Sequence, residues 1–370
     1  MTALPKFCVF CGNKPDKKTK EHIIPQWLIK LTGDPDRKIN LGIEVDRKNE
    51  KNEFKLREFS FSAFHFPACT KCNEEFSALE NETKPIIEKI LSKDFLTNTE
   101  IDILLNWFDK VRIGLWLGEL LLDREVAPVN PHFHIKKRIV EKDRCLFVYE
   151  LNDDLQGIQF FGTNSPAFMF TPSCFSLCIN NFYFFNISID FLFAKNIGFP
   201  FPVKKIMVPK SNGTRFEFKK GLDEVKLPLI KRAFAKASIE IYQPLIPKEI
   251  GDINSIIDGF YNCSYLKEHC LDFKKGLGDI FYSENSTLLK LDNDTELCLS
   301  DGSRKYDREE FMKVMAKQVM DTQLYLTIQM MPSIEELSPA GKKEVRKTYN
   351  NILLLQKKYR ELIDIKKGSR

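Results

Sequence analysis

The chain has 370 residues, which is enough for two or three domains. It is 43% hydrophobic and 29% charged, a composition that excludes a wholly disordered chain. Its net charge of +5 is compatible with a nucleic-acid partner but does not establish one. The apolar stretches are too short to span a bilayer, and the N-terminus lacks the apolar core of a signal peptide, so we expect a cytoplasmic protein with no membrane partner. In that compartment the ten cysteines indicate thiols or metal ligands rather than disulfides.

Residues 1–92 are predicted to form a first unit. Its elements, in chain order, are a turn-rich knuckle at 8–13, a strand or loop running into a helical turn at 22–31, a hairpin of strands 39–45 and 53–62, and a helix at 74–91. A capping-box pattern at Thr97–Glu100 then predicts the start of a long helix at 98–123. This helix belongs to a connecting region, 93–137, and we expect it to pack the first unit onto the next.

Residues 138–250 are rich in phenylalanine and β-branched residues, which favours antiparallel strands. The predicted strands are 144–151, 157–162, 175–179 and 182–193, followed by a loop at 198–202 and a helix at 224–240. Residues 251–370 are predicted to be mainly helical. One helix covers 306–331, and a second follows Ser338-Pro339, an N-cap followed by a proline at the first helical position. The second has a basic outer face.

Two Cys-x-x-Cys pairs, Cys8/Cys11 and Cys69/Cys72, predict a zinc site in the first unit. Four thiolates complete the tetrahedral coordination that zinc prefers, and such a closed site is structural because no position is left for water. The alternative is that four thiols share this spacing by accident.

Between and after these pairs lie Glu21-His22-Ile23-Ile24-Pro25 and Asn73. The combination resembles the HNH endonucleases, or ββα-metal nucleases, in their zinc-stapled form. The resemblance covers residues 6–82 and implies an α+β fold with an N-terminal zinc-stapled ββα module. A mixed α/β region with antiparallel strands and C-terminal helices would follow it. By the same resemblance the protein is a phosphodiester hydrolase acting on nucleic acid, DNA above all, and often a bacterial restriction or antiphage effector.

The resemblance also assigns roles to residues. His22 would be the general base, since the imidazole pKa lies near neutrality. Glu21 and Asn73 would hold a catalytic Mg²⁺ or Mn²⁺, and Asn73 would lie at the N-terminus of a helix whose dipole favours phosphate. The family's middle residue falls on Phe64 by spacing, and His65, one residue further on, is the candidate for that role.

Each assignment has a structural alternative. His22 beside Glu21 could be a surface hydrogen-bonding pair. Glu21 could be an ion-paired surface residue, and His65 could be a histidine at the edge of the core. Basic residues beside the site, Lys17, Lys18 and Lys20, could contact phosphates or could form an ordinary solvated face. Two other functions stay open: a zinc-dependent protein that binds nucleic acid without cutting it, and an assembly subunit whose C-terminal helices pair with a second copy or a partner protein.

Overall fold

A computed structural model gives the structure of most of the chain. It describes residues 7–17, 19–45, 54–60, 65–122, 135, 142–197, 201–208, 213–219, 221–222, 226, 229–230, 236–244, 279–284, 287–299, 304–331 and 333–365. No helix within these ranges combines the length and apolar character needed to cross a membrane. The architecture is α+β with antiparallel sheets and C-terminal helices, as the sequence predicts.

The N-terminal unit is built on two small antiparallel ribbons and a helix. Its elements are β1 (Thr19–His22), α1 (Gln26–Leu31), β2 (Lys38–Val45), β3 (Phe54–Ser60), β4 (His65–Ala68) and α2 (Thr70–Leu91). Strand β1 pairs with β4, and β2 pairs with β3. The predicted hairpin is therefore confirmed, and its turn lies outside the described residues. Helix α2 begins at Thr70, four residues before the predicted start.

Helix α3 (Asn98–Leu122) lies between the N-terminal unit and the large sheet, after the short strand β5 (Phe95–Leu96). The predicted capping box is present: the backbone N–H of Thr97 donates to Glu100 Oε2 at 2.9 Å, and that of Glu100 donates to Thr97 Oγ1 at 3.3 Å. Almost every side chain from Ile101 to Leu120 is buried, as expected for a helix enclosed on all sides. Its contacts with α2 confirm that it packs the first unit onto the rest.

An eight-stranded sheet forms the centre of the described residues. Its strands are β6 (Asp143–Leu151), β7 (Ile158–Phe161), β8 (Cys174–Ile179), β9 (Phe182–Ile189), β12 (Ile239–Gln243), β13 (Phe281–Glu284), β14 (Thr287–Lys290) and β16 (Lys305–Tyr306). The order is β14-β13-β12-β6-β9-β8-β7, all antiparallel, with β16 parallel to β6. Alternate residues of β6 face opposite layers: Leu146 and Val148 join the core with α3, and Phe147 and Tyr149 join a second core.

Helix α5 (Arg308–Met330) covers the second face of the sheet. Helix α6 (Pro339–Ile365) packs against α5, and both contact the short helix α4 (Pro166–Phe170). The buried Gln356 joins all three, because its Oε1 accepts from Ala167 N and its Nε2 donates to Met320 O, both at 3.1 Å. Ile352, one turn before Gln356, is also buried within this chain.

Two features differ from the sequence predictions. Phe201 and Pro202, predicted as loop, begin strand β10 (Phe201–Val208), which pairs with β11 (Gly213–Lys219). Ile239 and Glu240, predicted as the end of a helix, begin strand β12, because they pair with Val148 and Phe147 of β6. The sheet contains strands from both sides of residue 250. A last pair joins β15 (Leu297–Cys298) to β5.

Candidate functional site

The β1–β4 ribbon brings two predicted site residues together. His22 and His65 are directly opposite each other in the register, so their side chains project to the same face. Their ring centroids are 5.6 Å apart, and both residues are half-buried. His22 Nε2 lies 3.5 Å from the side-chain nitrogen of Gln26, at the start of α1. His65 Nδ1 is buried and has no hydrogen-bond partner among the described residues.

Glu21 points to the opposite face of the ribbon, because successive residues of a strand alternate in direction. Its carboxylate lies 2.7 Å from Lys110 Nζ of α3, and only 7% of its side chain is exposed. The Lys110 side chain is fully buried and also contacts Glu80 of α2. Glu21 is therefore ion-paired, as the structural alternative held, but inside the protein rather than on its surface.

Glu21 and Glu80 stabilise the buried positive charge of Lys110. Burial alone lowers the pKa of Lys110, but the two carboxylates more than offset it and the pKa is raised. Burial raises the pKa of Glu80, and Lys110 acts in the opposite direction. Lys110 Nζ also lies 3.5 Å from the backbone carbonyl oxygens of His22 and Ile23. The Lys110 side chain thus contacts both the residue before His22 and the residue after it.

Close packing fixes the same segment from a second position on α3. A Cβ atom placed on Gly114 would lie 2.6 Å from Ile23 Cδ1, well inside the contact distance. Glycine at this position therefore lets the helix approach the residue that follows His22. The opposite side of α3 is tied to the sheet, where Arg112 Nε donates to Asn186 Oδ1 at 3.0 Å.

The four predicted zinc ligands converge. The sulfur atoms of Cys8, Cys11, Cys69 and Cys72 all lie within 4.8 Å of one another, and Cys11 and Cys69 are 3.9 Å apart. Four thiolates about 2.3 Å from a tetrahedral zinc are about 3.8 Å apart, so the cluster has the size that a metal such as zinc requires. In the described part of the chain, no other group of three or more His, Cys, Asp or Glu side chains converges in this way.

Local structure positions these cysteines. The knuckle turns at Gly12, whose φ of 78° lies in the left-handed region, and Gly12 N donates to Cys8 O at 2.9 Å. Burial raises the pKa of the Cys8 and Cys72 thiols. Burial acts the same way on Cys69, but hydrogen bonds from the backbone N–H of Cys72 and from neighbouring thiols outweigh it and lower that pKa. A bound cation would favour the thiolate form in all four.

Asn73 lies in the first turn and a half of α2, and its backbone N–H donates to Cys69 O at 2.9 Å. Asn73 therefore directly follows Cys72 and lies near the N-terminus of the helix, as predicted. Its side chain is half-buried. The backbone N–H of Thr70, the first residue of α2, already donates to Asp16 Oδ1 at 2.9 Å. This bond lowers the pKa of Asp16 and uses one of the donors that would otherwise be available to a phosphate.

The three lysines proposed to contact nucleic acid follow the knuckle. Lys17 and Lys20 are exposed, and Lys18 lies outside the described residues. The structure thus brings His22 and His65 together and gathers the four cysteines, but turns Glu21 toward Lys110. Sequence reasoning missed Lys110 as part of this region. The available signal was the charged run Asp109-Lys110-Val111-Arg112 within a mostly apolar helix.

Comparison with known proteins identifies no relative: no protein-family model, no curated protein and no solved structure matches this chain.

Proposed function

We propose that this protein is an HNH-type endonuclease that hydrolyses phosphodiester bonds of nucleic acid, with DNA as the preferred substrate and His22 as general base. The observation that carries the proposal is the pair of half-buried histidines, His22 and His65, facing each other on a short antiparallel ribbon. Helix α2 follows this ribbon directly, and the cysteine cluster joins the two. Strand, strand and helix in this order fit the ββα arrangement that the sequence resembles.

The chemistry assigns a separate task to each group. His22 would accept a proton from the attacking water, and His65 would hold the imidazole of His22 in a productive orientation. Lys17, Lys18 and Lys20 would contact the phosphates on either side of the cleaved bond. Zinc, held by the four cysteines, would fix the knuckle to the start of α2 and take no part in hydrolysis.

HNH-type chemistry implies Mg²⁺ or Mn²⁺, which stabilises negative charge on the phosphate and the leaving oxygen. Glu21, its predicted ligand, is instead paired with Lys110. We therefore propose that Glu21 positions β1, with Asn73 as the remaining candidate ligand.

A cleavage assay with matched variants tests the proposal. Purified full-length protein is incubated with supercoiled plasmid, linear DNA and single-stranded RNA, each with Mg²⁺, Mn²⁺ or no added divalent cation. The wild type should cut DNA in a cation-dependent manner, and His22→Ala should reduce the rate by a factor of about 100 or more. Lys30→Ala, an exposed change on α1, should leave the rate unchanged.

Two controls separate chemistry from folding. His22→Ala should retain the zinc content and thermal unfolding midpoint of the wild type, because His22 is only half-buried. If the wild type cuts no substrate under any of these conditions, or if His22→Ala cuts at the wild-type rate, the endonuclease proposal is wrong.

One observation favours a second candidate, a zinc-dependent protein that binds nucleic acid without cutting it. Within the described residues, the carboxylate expected to hold the catalytic cation is occupied by Lys110. On this alternative, the wild type and His22→Ala would bind DNA equally in a filter or fluorescence-anisotropy assay, and neither would cut. A role in restriction or antiphage defence, and assembly through the C-terminal helices, stay predictions that neither assay addresses.

A further inference from the structure

A cavity of about 640 Å³ lies far along the chain from the N-terminal unit, between the end of β9, strand β10 and the C-terminal end of α5. Ligand pockets in proteins span roughly 300 to 1,000 Å³, so its size suits a small organic molecule. Its walls are mixed in polarity, and Phe191, Phe193, Phe201 and Leu326 are among the residues that supply the apolar part. Such walls accept a flat ring.

Lys205 supplies a positive charge in this cavity. Its Nζ donates to Gln329 O at 3.3 Å and contacts Met330 Sδ at 2.9 Å, and within the described residues no carboxylate lies within ion-pairing distance of it. A thioether sulfur is a weak acceptor, so at least one of the three ammonium donors lacks a strong partner. Burial lowers the pKa of Lys205 to about 8, and the nearby carboxylate of Asp190 acts in the opposite direction.

The neighbouring charges leave the cavity positive. Lys195 is exposed beside it and lies 5.5 Å from the centre of the Phe201 ring, and it too has no carboxylate partner among the described residues. Lys204 is already paired with Glu335 at 3.1 Å. The carboxylate of Asp190, on the same wall, acts on Lys205 from beyond ion-pairing distance and is itself paired with Lys142, so Lys195 and Lys205 give the wall its net positive charge.

Two further features mark the same wall. Asp190 accepts from Lys142 through Oδ2, but its Oδ1 is buried and has no hydrogen-bond donor in the described part of the chain. Phe191, the next residue, has a φ of 56°, a left-handed conformation that is unfavourable for a bulky side chain. Backbone strain of this kind concentrates at functional sites. The cavity thus combines aromatic walls, an ammonium group without an anion and an acceptor without a donor.

We propose that this cavity binds a nucleoside monophosphate, with the phosphate on Lys205, the base against the phenylalanine side chains, and a hydroxyl or amino group donating to Asp190. A lysine ammonium suits a phosphate as a compact point charge. A nucleoside monophosphate combines a flat base, hydroxyl or amino donors and a doubly charged phosphate. These groups match the phenylalanine side chains, Asp190 and Lys205, respectively. The proposal does not depend on the endonuclease activity.

Isothermal titration calorimetry of the full-length protein tests it. AMP, GMP, CMP and UMP are titrated separately, with adenosine, inorganic phosphate and phenyl phosphate as comparison probes. At least one mononucleotide should bind saturably with a Kd below about 1 mM. Adenosine and inorganic phosphate should each bind at least tenfold more weakly, because each lacks part of the complementarity.

Three variants locate the binding. Lys205→Met keeps the apolar stem and should weaken nucleotide binding by about tenfold or more, as expected for the loss of a charge-assisted hydrogen bond. Lys195→Met, at an exposed position that folding tolerates, should weaken it by about threefold. Lys313→Met, which removes an exposed lysine paired with Glu309 elsewhere on α5, should have no effect.

Four outcomes would overturn the proposal. These are no binding by any mononucleotide, equal binding by inorganic phosphate (which would indicate a bare anion site), phenyl phosphate binding at least as tightly as every mononucleotide, and undiminished binding in both Lys205→Met and Lys195→Met. The Lys195 variant decides the question if Lys205→Met does not fold.

Discussion

Replacing Lys110 with methionine tests the buried triad that anchors the candidate site. Methionine fills much of the space of the lysine stem, so the main change is the loss of one positive charge between two carboxylates. Glu21 and Glu80 would stay in place with side-chain exposures of 7% and 17%, and neither would have its present cation.

The expected cost follows from that burial. Removing one partner of a buried ion pair destabilises a protein by about 3–5 kcal/mol, because the other charge stays buried and uncompensated. This is a large fraction of the roughly 5–15 kcal/mol by which a domain is stable. The exposed pair of Lys84 and Glu88 on α2 gives a matched comparison, and Lys84→Met should cost only about 0.2–1 kcal/mol.

Urea unfolding of the full-length, zinc-loaded protein measures the free energy of unfolding of both variants. The change of this free energy with pH gives a second test of the buried triad. Burial already raises the pKa of Glu80, and without Lys110 that pKa should rise further, so the folded state holds a proton that the unfolded state releases. The deficit of Lys110→Met relative to wild type should therefore be largest near pH 8 and should shrink as the pH falls toward 5.

A compensating variant makes the reasoning refutable. Lys110→Met combined with Glu21→Gln and Glu80→Gln removes the charge together with the two uncompensated carboxylates, and should recover more than half of the lost stability. A loss below about 1 kcal/mol for Lys110→Met, or a combined variant less stable than the single one, would show that the triad does not anchor the segment in this way.

Other predictions concern the metal, the close contact and the second cavity. Elemental analysis should find one zinc per chain, lost in Cys8→Ser and kept in Cys298→Ser, a cysteine outside the cluster. Gly114→Val should destabilise by about 1–3 kcal/mol in urea unfolding because its Cβ would overlap Ile23. Burial lowers the pKa of Lys205 from 10.5 to about 8, so between these two pH values the unfolded chain holds a proton that the folded chain has released. As the pH rises through this range, the free energy of unfolding of the wild type should therefore increase relative to that of Lys205→Met. A difference between the two proteins that does not change with pH would contradict this prediction.

Local signals were sufficient where a short segment sets its own geometry. The capping box at Thr97–Glu100 and the N-cap at Ser338 depend on side chains three residues from the backbone they satisfy. Each Cys-x-x-Cys pair is a single turn and fixes its own two sulfurs, whereas the meeting of the two pairs, 58 positions apart at Cys11 and Cys69, followed from the preference of zinc for four ligands. Sequence reasoning also placed four strands of the sheet within a few residues, because their phenylalanine-rich pattern is set by burial on both faces.

Contacts between distant segments account for what was missed. Ile239–Gln243 alternates like a strand, but only its pairing with β6 separates it from the helix predicted before it. Strands β10 and β11 contain several basic residues and a proline, which weakens their pattern. The role of Lys110 was not visible because its partners lie 89 and 30 positions away along the chain, and the helix around it has an apolar sequence.

The way α3 is shared has a consequence for how this protein could be cut apart or recombined. From their sequence, residues 1–92 resemble an independent module, since they contain the four cysteines, both histidines of the candidate site and helix α2. Expressed alone, this segment would expose the surface that packs on α3, and Glu21 and Glu80 would lack their ion-pair partner Lys110. A fragment ending after Leu122 keeps both the apolar cover and that charge. Any graft onto another protein should therefore include α3, which belongs to the N-terminal unit as much as to the layer that covers the large sheet.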